Sequence, residues 1–492
     1  MPLIPINLPP GQYRNGTEYQ SQGRWRDANL IRWHEGALRP VGGWRQRGSV
    51  DISGVVRTMV AWEDNTNNRR IAFGTHDKLY AMNSGDVVSD ITPAGFTAGR
   101  VDATAFTGFG GGPYGDDLYG LPRPDTGSVL PATTWSLDNF GEYLLGCTAD
   151  DGKIYQWQLS GGTPAAVLSN APTSCSGMMV TEERFVFAFG AGGDPRKISW
   201  SDREDNNTWT AATTNEAGDI QLQTNGVILK GLRTRGQALI LTDQDAHAAT
   251  YSGPPYVYGF ERAGTSCGLI AANAAASVDA GVIWMGQRSF FVYSGGAVQE
   301  LPCDVADYVF SDINIDQKSK VHAVVNSRFS EIWWFYPSAS STECDSYVSF
   351  DYAEQIWTTG TIDRTAGVDR GVFRQPFWIA ADGTLYEQEI GFDYGNQTPF
   401  AETGPIAIGV GEQVMSVRGM IPDENTLGDV SATFKTRFYP TDTQRDYGPF
   451  SMANPTSFRF TGRQIRMRIT GDASSDWRVG IMRLDAVAGG RR

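Results

Sequence analysis

The sequence predicts an all-β fold, and three observations carry this prediction. Short runs of Val, Ile, Phe, Trp and Tyr, bounded by Gly, Asn and Asp, recur along the chain, as strands between tight turns do. Segments with apolar residues at helical spacing are few. Residues 269–280 and 301–313 are the partial exceptions, and each could form a short helix or a loop. The 57 glycines are spread without a period, which suits many tight turns.

Seven segments each predict a strand, a short polar turn and a second strand that carries an aromatic residue. They are residues 69–82, 142–158, 184–201, 237–253, 281–296, 331–352 and 376–389. Asp-Gly stands at the turn in the second and the last, as a tight hairpin prefers. Most are about 40–55 residues apart, the period expected of propeller blades. We predict a β-propeller of six to eight blades over residues 49–405; the alternative is an irregular array of unrelated hairpins.

Three further segments complete the predicted organisation. Residues 1–48 form an N-terminal segment with a hairpin. A Gly/Pro-rich insertion of about residues 101–130 has little potential to form a core. After residue 405 the strands show strict alternation; in residues 464–469, for example, Ile and Met alternate with Gln and Arg. We predict a small antiparallel β-sandwich, a platform-like domain, over residues 406–492.

The charge distribution argues against nucleic-acid binding by most of the chain. The formal net charge is −14, but residues 1–48 carry +4, residues 49–410 carry −21 and residues 411–492 carry +3. A large acidic body repels nucleic acid. The basic ends could contact acidic neighbours or could be ordinary solvated surface.

Motifs that carry chemistry are not found. The sequence has no GxSxG, P-loop or HExxH motif, and its four histidines lack metal-ligand spacing. The five cysteines form no CxxC pair, so we expect buried reduced thiols and assembly in a cytoplasm: Cys147, Cys175, Cys267, Cys303 and Cys344. We therefore predict a protein that is not an enzyme, with no catalytic, cofactor-binding or metal residues.

Two short motifs come near a known pattern without matching it. Residues 311–316 space Asp, Asn and Asp like the start of a calcium loop, but Gln317 and Ala323 stand where the loop needs Gly and Glu. Residues 201–209 resemble a degenerate Asp-box, which is a structural turn of sialidase propellers. No apolar run is long enough to span a membrane, and the proline-rich start is no signal peptide.

Residues 23–46 contain three tryptophans and five arginines, so they could be a nucleic-acid patch or a packed hairpin. A patch needs exposed aromatic rings beside a basic groove. The spacing instead predicts a strand, a His-Glu-Gly turn and a return strand. We therefore expect four tryptophans to pack structurally: Trp25, Trp33, Trp44 and, in the Asp-box-like segment, Trp209.

Several of these segments together resemble the tail nozzle (tail hub or tail tubular) proteins of short-tailed bacteriophages. The resemblance rests on the opening residues 8–44, on KISWSDREDNNTW (197–209), on residues 282–314 and on residues 331–360. It implies a propeller with an added β-rich platform, a ring of six copies below portal and adaptor rings, and a channel through which DNA leaves the capsid. Tail fibre or tail needle proteins would lie beside or below it.

A role in such a channel would explain the net negative charge of residues 49–410, because a channel that passes DNA should not bind it. We expect many surplus acids of residues 49–410 to face the lumen, so that DNA passes without specific binding. Arginines of the end segments would then contact neighbouring subunits or rings, since the planar guanidinium pairs bidentately with carboxylates. The candidates are Arg24, Arg26, Arg32, Arg39, Arg466 and Arg468.

Two other functions stay open. The first is a glycan-binding or glycan-cleaving, sialidase-like propeller that recognises a host surface, for which carboxylates should converge in a central pocket. The second is a cellular propeller scaffold, although the Trp-Asp signature of common scaffold repeats does not recur. The leading prediction is a structural protein of a virion tail, assembled in the host cytoplasm.

Overall fold

The computed structural model describes residues 3–49, 52–106, 128–406, 413–472 and 474–490. Five strands come first, with a 3-10 helix (Glu18–Ser21) before the second: β1 (Leu3–Ile6), β2 (Trp25–Asn29), β3 (Ile31–His34), β4 (Ala37–Pro40) and β5 (Trp44–Ser49). β3 and β4 form the hairpin predicted in this segment.

Six complete four-stranded antiparallel sheets follow, which we call blades 1 to 6. The first two are joined by a connection that contains a small hairpin. Blade 1 is β6 (Thr58–Glu63), β7 (Arg69–Gly74), β8 (Leu79–Met82) and β9 (Val88–Asp90); the small hairpin is β10 (Thr104–Ala105) and β11 (Val129–Leu130). Blade 2 is β12 (Trp135–Phe140), β13 (Tyr143–Thr148), β14 (Ile154–Trp157) and β15 (Ala166–Val167). Most of the predicted Gly/Pro-rich insertion, residues 107–127, lies outside the described residues.

Blades 3 to 6 repeat the same order of strands. Blade 3 is β16 (Gly177–Val180), β17 (Val186–Phe189), β18 (Lys197–Trp200) and β19 (Gly218–Gln221), with a 3-10 helix at Ala191–Gly193; blade 4 is β20 (Ile228–Thr234), β21 (Gln237–Thr242), β22 (Asp245–Gly253) and β23 (Val257–Thr265). Blade 5 is β24 (Ala275–Val278), β25 (Gly281–Met285), β26 (Phe290–Ser294) and β27 (Ala297–Leu301). Blade 6 follows the helix α1 (Ala306–Asp312) and a 3-10 helix (Ile315–Lys320), and is β28 (His322–Asn326), β29 (Glu331–Pro337), β30 (Cys344–Asp351) and β31 (Ile356–Thr361).

Blade 7 closes the ring with a strand from the other end of the chain. It is formed by β32 (Ala366–Val368), β33 (Phe377–Ile379), β34 (Thr384–Gln388) and then β5, whose Trp44 pairs with Gln388. The first strands of successive blades lie side by side, and β32 of blade 7 lies against β6 of blade 1. The protein therefore contains a seven-bladed β-propeller.

This architecture confirms the predicted all-β fold and the propeller. Each of the seven predicted hairpins supplies the second and third strands of one blade. Buried side chains fill the spaces between blades, as where Trp62 of blade 1 packs with Trp135 and Tyr155 of blade 2. Of the two possible helices, residues 301–313 contain α1, whereas residues 269–280 contain β24.

The second unit is a two-sheet sandwich. Its later strands are β35 (Phe400–Thr403), β36 (Met415–Ile421), β37 (Val430–Arg437), β38 (Arg445–Ser451), β39 (Thr456–Gly462), β40 (Gln464–Gly471) and β41 (Met482–Ala488). One sheet has the order β1-β41-β36-β39, and the other has the order β2-β35-β40-β37-β38. Alternation places Ile465, Met467 and Ile469 in the core between the sheets.

The structure corrects the predicted domain boundaries. Residues 1–48 do not form a separate unit, because β1 and β2 pair with the C-terminal strands β41 and β35, and β5 belongs to blade 7. Residues 400–403, predicted within the propeller, form β35 of the sandwich. Pairing between strands at opposite ends of the chain is invisible to local hydrophobic patterns.

The sandwich is attached to the outer edge of blade 6. The Gln12 amide donates to the carbonyl of Trp357 (3.0 Å), and the Leu30 amide donates to the Tyr347 hydroxyl (3.0 Å). The hairpin β3–β4 joins both cores, since Trp33 lies in the sandwich core and Leu30 lies in the cluster between blades 6 and 7. The two units therefore share buried side chains.

Candidate functional site

Polar side chains from blades that are not neighbours contact one another around the propeller axis. Arg233 of blade 4 donates to Asp138 of blade 2 (2.6 Å). Lys230 of blade 4 donates to Asn273 (3.3 Å), which stands at the start of blade 5 and donates to Thr58 of blade 1 (2.9 Å). Burial lowers the pKa of Lys230, although the carboxylate of Asp138 opposes this. The Arg233–Asp138 pair joins two blades separated by one other blade, and the Lys230–Asn273–Thr58 contacts join blades 4, 5 and 1, so polar side chains fill part of the space around the axis.

One end of the axis, where the first strands begin, is closed; we call it the closed mouth. Arg57, which precedes β6, donates to both carboxylate oxygens of Glu343 in blade 6 (2.5 and 2.6 Å). Lys320 donates to Asp102 (2.5 Å) and to Glu343 (3.0 Å). The guanidinium of Arg57 and the ammonium of Lys320 are almost wholly buried. Burial alone would raise the pKa of Glu343, but the two cations hold it below its ordinary value.

Chain segments also cover the closed mouth. Gln317 of the 3-10 helix before blade 6 exchanges two hydrogen bonds with the backbone of Ala103 (3.0 Å each). The amide of Ala132, which precedes blade 2, donates to the Ser319 hydroxyl (3.0 Å). Because blades 2 and 6 stand three positions apart in a ring of seven, the chain passes over the axis here.

The opposite end, where the first strands end, is an open cavity of about 1000 Å³, which we call the funnel. Its walls are the turns between first and second strands of blades 3 to 7 and the turns between third and fourth strands of blades 5 and 6. Its charged residues are Glu182, Arg233, Arg235, Asp279 and Asp369. The volume is in the range of sites that hold small ligands.

Two carboxylates and a tyrosine converge on one wall of the funnel. Burial, and then the nearby carboxylates of Asp279 and Asp369, raise the pKa of the Tyr352 phenol. Asp369 accepts from the Ser327 amide (3.2 Å), and burial raises its pKa. Asp279 has no hydrogen-bond or ion-pair partner among the described residues. This wall can accept hydrogen bonds from a ligand.

Sequence reasoning missed the funnel residues. Their signal is local: Glu182, Arg235 and Asp279 each stand two residues before a predicted hairpin, in the turn that joins a first strand to it. Such a turn can carry a charge simply because it is exposed, so the charge alone did not distinguish these residues. Only the circular arrangement of the blades brings them together.

Five of the six predicted interface arginines pair with acids of this chain, and their contacts with other subunits stay a prediction. Arg24 bonds Asp304 (2.8 Å), and Arg39 bonds both oxygens of Asp476 (3.0 and 3.1 Å). Arg466 pairs with Glu18 and Glu402, and Arg468 lies near Glu402 (3.5 Å) and over the Phe400 ring. Arg26 donates weakly to the Thr17 carbonyl (3.4 Å). The bidentate geometry that suits subunit contacts serves here within one chain.

Arg32 is the most deeply buried of the six. It donates to both oxygens of Glu331 (2.7 Å each) and both oxygens of Glu389 (2.6 and 3.0 Å). Burial alone would lower the pKa of Arg32, but the two carboxylates raise it above its ordinary value. Because Glu331 belongs to blade 6 and Glu389 follows blade 7, this network fixes the hairpin β3–β4 to the propeller.

The tryptophans pack, as their hairpin-like spacing predicts. Trp25 and Trp33 are buried together, with ring centroids 6.0 Å apart. Trp44 packs edge-on against Tyr394 (5.5 Å), and its ring also meets the buried Arg364. Trp209 donates to the Asn206 carbonyl (2.8 Å) and packs at the edge of the cluster between blades 2 and 3.

The remaining motifs have structural roles. The Asp-box-like segment lies between β18 and β19, where Asp202 accepts from the Arg203 and Glu216 amides. Asn314 of the calcium-like segment caps a 3-10 helix. All five cysteines carry free thiols. Across the described ranges, no group of His, Cys, Asp or Glu has a metal-binding arrangement, and no helix there is long and apolar enough to cross a membrane.

The fold and these contacts define an all-β protein with a seven-bladed propeller and an attached sandwich. No protein-family model matches the sequence, and no curated protein matches it. Virginiamycin B lyase from Staphylococcus aureus is 8% identical to it, with a TM-score of 0.41, over 70% of this chain and 98% of its own. The Pan2 WD40 domain of Neurospora crassa is 8% identical (TM-score 0.38; 70% and 94% covered).

The N-terminal domain of Nup159 is a further structural neighbour, 9% identical with a TM-score of 0.36, over 70% of this chain and 95% of its own. One of the three neighbours is named as an enzyme and the other two are not. Likenesses this distant carry no functional argument, so the absence of enzymatic activity stays a prediction.

Proposed function

We propose that the protein is a structural component of a bacteriophage tail, a nozzle subunit in the ring through which DNA leaves the capsid. The observation that supports this is the joining of a propeller and a β-rich sandwich in one chain, the architecture that the sequence resemblance implies. Shared packing and the Arg32 network hold the two units together, as a ring subunit requires.

In this proposal DNA passes between copies of the chain. The space around the propeller axis is partly filled by the Arg233–Asp138 and Lys230–Asn273–Thr58 contacts, and the axis is covered at the closed mouth, so it offers no passage. Surplus acids of residues 49–410 would face the channel of a hexamer, where they repel phosphate and keep DNA from adhering. Of the six candidate arginines only Arg32 is buried within the chain, so subunit contacts would use the five that are partly exposed.

The test is electron microscopy of the full chain, alone and mixed with the portal, adaptor and other tail proteins of the same phage. The proposal predicts six-fold rings with an opening wide enough for duplex DNA, and a channel lined mainly by Asp and Glu. A monomer that stays alone with these partners and releases sugar from host polysaccharide would overturn it in favour of a glycan-cleaving propeller. A channel lined by Lys and Arg would overturn the proposed role of the acids.

A further inference from the structure

We propose that the funnel is a binding site for an uncharged oligosaccharide. This goes beyond a structural role in a ring and does not depend on ring assembly. The funnel has the volume of a ligand site. Because chain segments cover the opposite mouth, it is a cup and not a passage.

The lining suits a ligand rich in hydroxyl groups. Polar or charged side chains and glycines make up most of the wall, and three lining residues are aliphatic: Val278, Ala280 and Val325. Carboxylates accept hydrogen bonds from hydroxyl groups and form stronger bonds than neutral acceptors do. Asp279 is exposed and has no bonded partner among the described residues, so its oxygens are available to a ligand.

An aromatic side chain lines the same wall. Tyr352 is half-buried at the turn between β30 and β31 and lies near Asp279 and Asp369. A tyrosine combines an apolar ring face with a hydroxyl that can bond at its edge. A pyranose ring presents C–H groups on its faces and hydroxyls at its rim, which matches a tyrosine flanked by carboxylates.

The charge of the funnel disfavours an acidic ligand. Arg233 is neutralised by Asp138, which leaves Arg235 facing Glu182, Asp279 and Asp369. The surplus is negative, so acidic sugars and nucleic acid are repelled. Arg235 has no hydrogen-bond or ion-pair partner in the described part of the chain, and it can donate to a ring or hydroxyl oxygen.

One wall of the funnel is short because the turn that forms it consists of glycines, which have no side chains. Gly295 and Gly296 form the turn of β26–β27 with positive φ (62° and 89°), and a side chain there would project into open space. The close approach of β25 to β26 requires a glycine at position 281, because a Cβ there would lie 2.1 Å from the Tyr293 carbonyl oxygen. With this low wall, a sugar chain bound in the cup can extend over the rim, so an oligosaccharide fits better than a single sugar.

The experiment is saturation-transfer NMR with the full chain, followed by titration. The probes are uncharged trisaccharides of glucose, galactose and N-acetylglucosamine, with sialyllactose as the acidic probe. We expect saturable binding of at least one uncharged probe and weaker binding of sialyllactose. Asp279→Asn and Tyr352→Ala should each lower the affinity about tenfold, whereas Asp316→Asn and Tyr256→Ala, exposed residues outside the funnel, should leave it unchanged.

Several results would overturn the proposal. They are no binding of any uncharged probe, equal losses in the funnel variants and the two control variants, or tighter binding of sialyllactose than of every uncharged probe. Electron microscopy of the same variants gives an independent readout. If Asp279→Asn loses sugar but forms rings like the unmodified chain, the binding site stands whatever the outcome for the tail role.

Discussion

The two mouths of the propeller axis carry the same kinds of charged side chain and use them in opposite ways. At the closed mouth, Arg57 and Lys320 are buried and each is bonded to carboxylate. At the funnel, Arg235 and Asp279 are exposed and have no bonded partner among the described residues. A buried charge must be paired because it has lost its hydration, whereas an exposed charge stays hydrated.

The comparison separates residues that stabilise the fold from residues that are available to a ligand. Removing one partner of a buried pair leaves the other charge uncompensated, at a cost of about 3–5 kcal/mol. Removing an exposed unpaired charge changes stability by about 0.5 kcal/mol or less. Four predictions follow this scale from its upper end to its lower end.

The largest loss of stability is expected for the buried network around Arg32, which lies away from both mouths. Arg32→Ala leaves the carboxylates of Glu331 and Glu389 buried without their cation, so we expect the free energy of unfolding to fall by about 4 kcal/mol. Urea unfolding followed by tryptophan fluorescence measures it. Arg45→Ala is the matched control, because Arg45 bonds Glu387 with a largely exposed side chain and should change little. Equal effects of the two variants would contradict the prediction.

The closed mouth should show a somewhat smaller effect. Glu343→Gln removes the carboxylate that Arg57 and Lys320 share, but Lys320 keeps Asp102 and the Thr342 carbonyl. We therefore expect a loss of about 3 kcal/mol in the same unfolding experiment. A loss of less than about 1 kcal/mol would show that the closed mouth does not stabilise the propeller, and the contrast between the mouths would fail.

The separation in sequence between partners explains which features could be predicted. The seven hairpins are local, so their strand pattern and period are visible in the sequence. The Arg32–Glu331 and Arg39–Asp476 pairs join residues 299 and 437 positions apart. The guanidinium group predicts a carboxylate partner, but nothing near these arginines in sequence distinguishes an acid of the same chain from one of a neighbour.

The same reasoning applies to β5 and to the funnel. The strand β5 pairs with β34, more than 300 residues later, and nothing in the sequence near residues 44–49 reveals this partner. The funnel residues stand in turns of five different blades, and only ring closure brings them into one cavity. The alternating patterns after residue 405 predict the sandwich strands β36, β37, β39, β40 and β41. In contrast, β1 and β2 are sandwich strands only through pairing with the C-terminal segment.

A buried histidine at the closed mouth, His322, should make the stability of the protein depend on pH. His322 follows Lys320 and is stacked on Phe335 (5.1 Å), and burial lowers its pKa to about 4. In the unfolded chain its pKa is about 6.5, so the unfolded state binds more protons between these values. The contribution of the neutral His322 ring to the free energy of unfolding is fully present above about pH 6.5, and it is lost as the pH falls towards 4. Between pH 8 and pH 5 the loss from His322 alone is about 2 kcal/mol.

The measurement compares the unmodified chain with His322→Gln. The variant lacks the titrating group, so its free energy of unfolding should fall by about 2 kcal/mol less between pH 8 and pH 5. Val87→Ala, a change at an exposed residue whose side chain does not titrate, serves as the control and should keep the pH dependence of the unmodified chain. The same pH dependence in His322→Gln and the unmodified chain would mean that the ring is not held neutral at the closed mouth.

The smallest effects on stability are expected at the funnel. Asp279→Asn and Arg235→Gln each remove an exposed charge that bonds no described residue, so each should change the free energy of unfolding by about 0.5 kcal/mol or less. Urea unfolding of these two variants and of Glu343→Gln in the same experiment compares the loss of stability at the two mouths. A loss above about 1 kcal/mol in either variant would show that these side chains hold neighbouring blades together. Stability within that limit, together with lost sugar affinity in Asp279→Asn, would instead assign the unpaired charges of the funnel to a ligand.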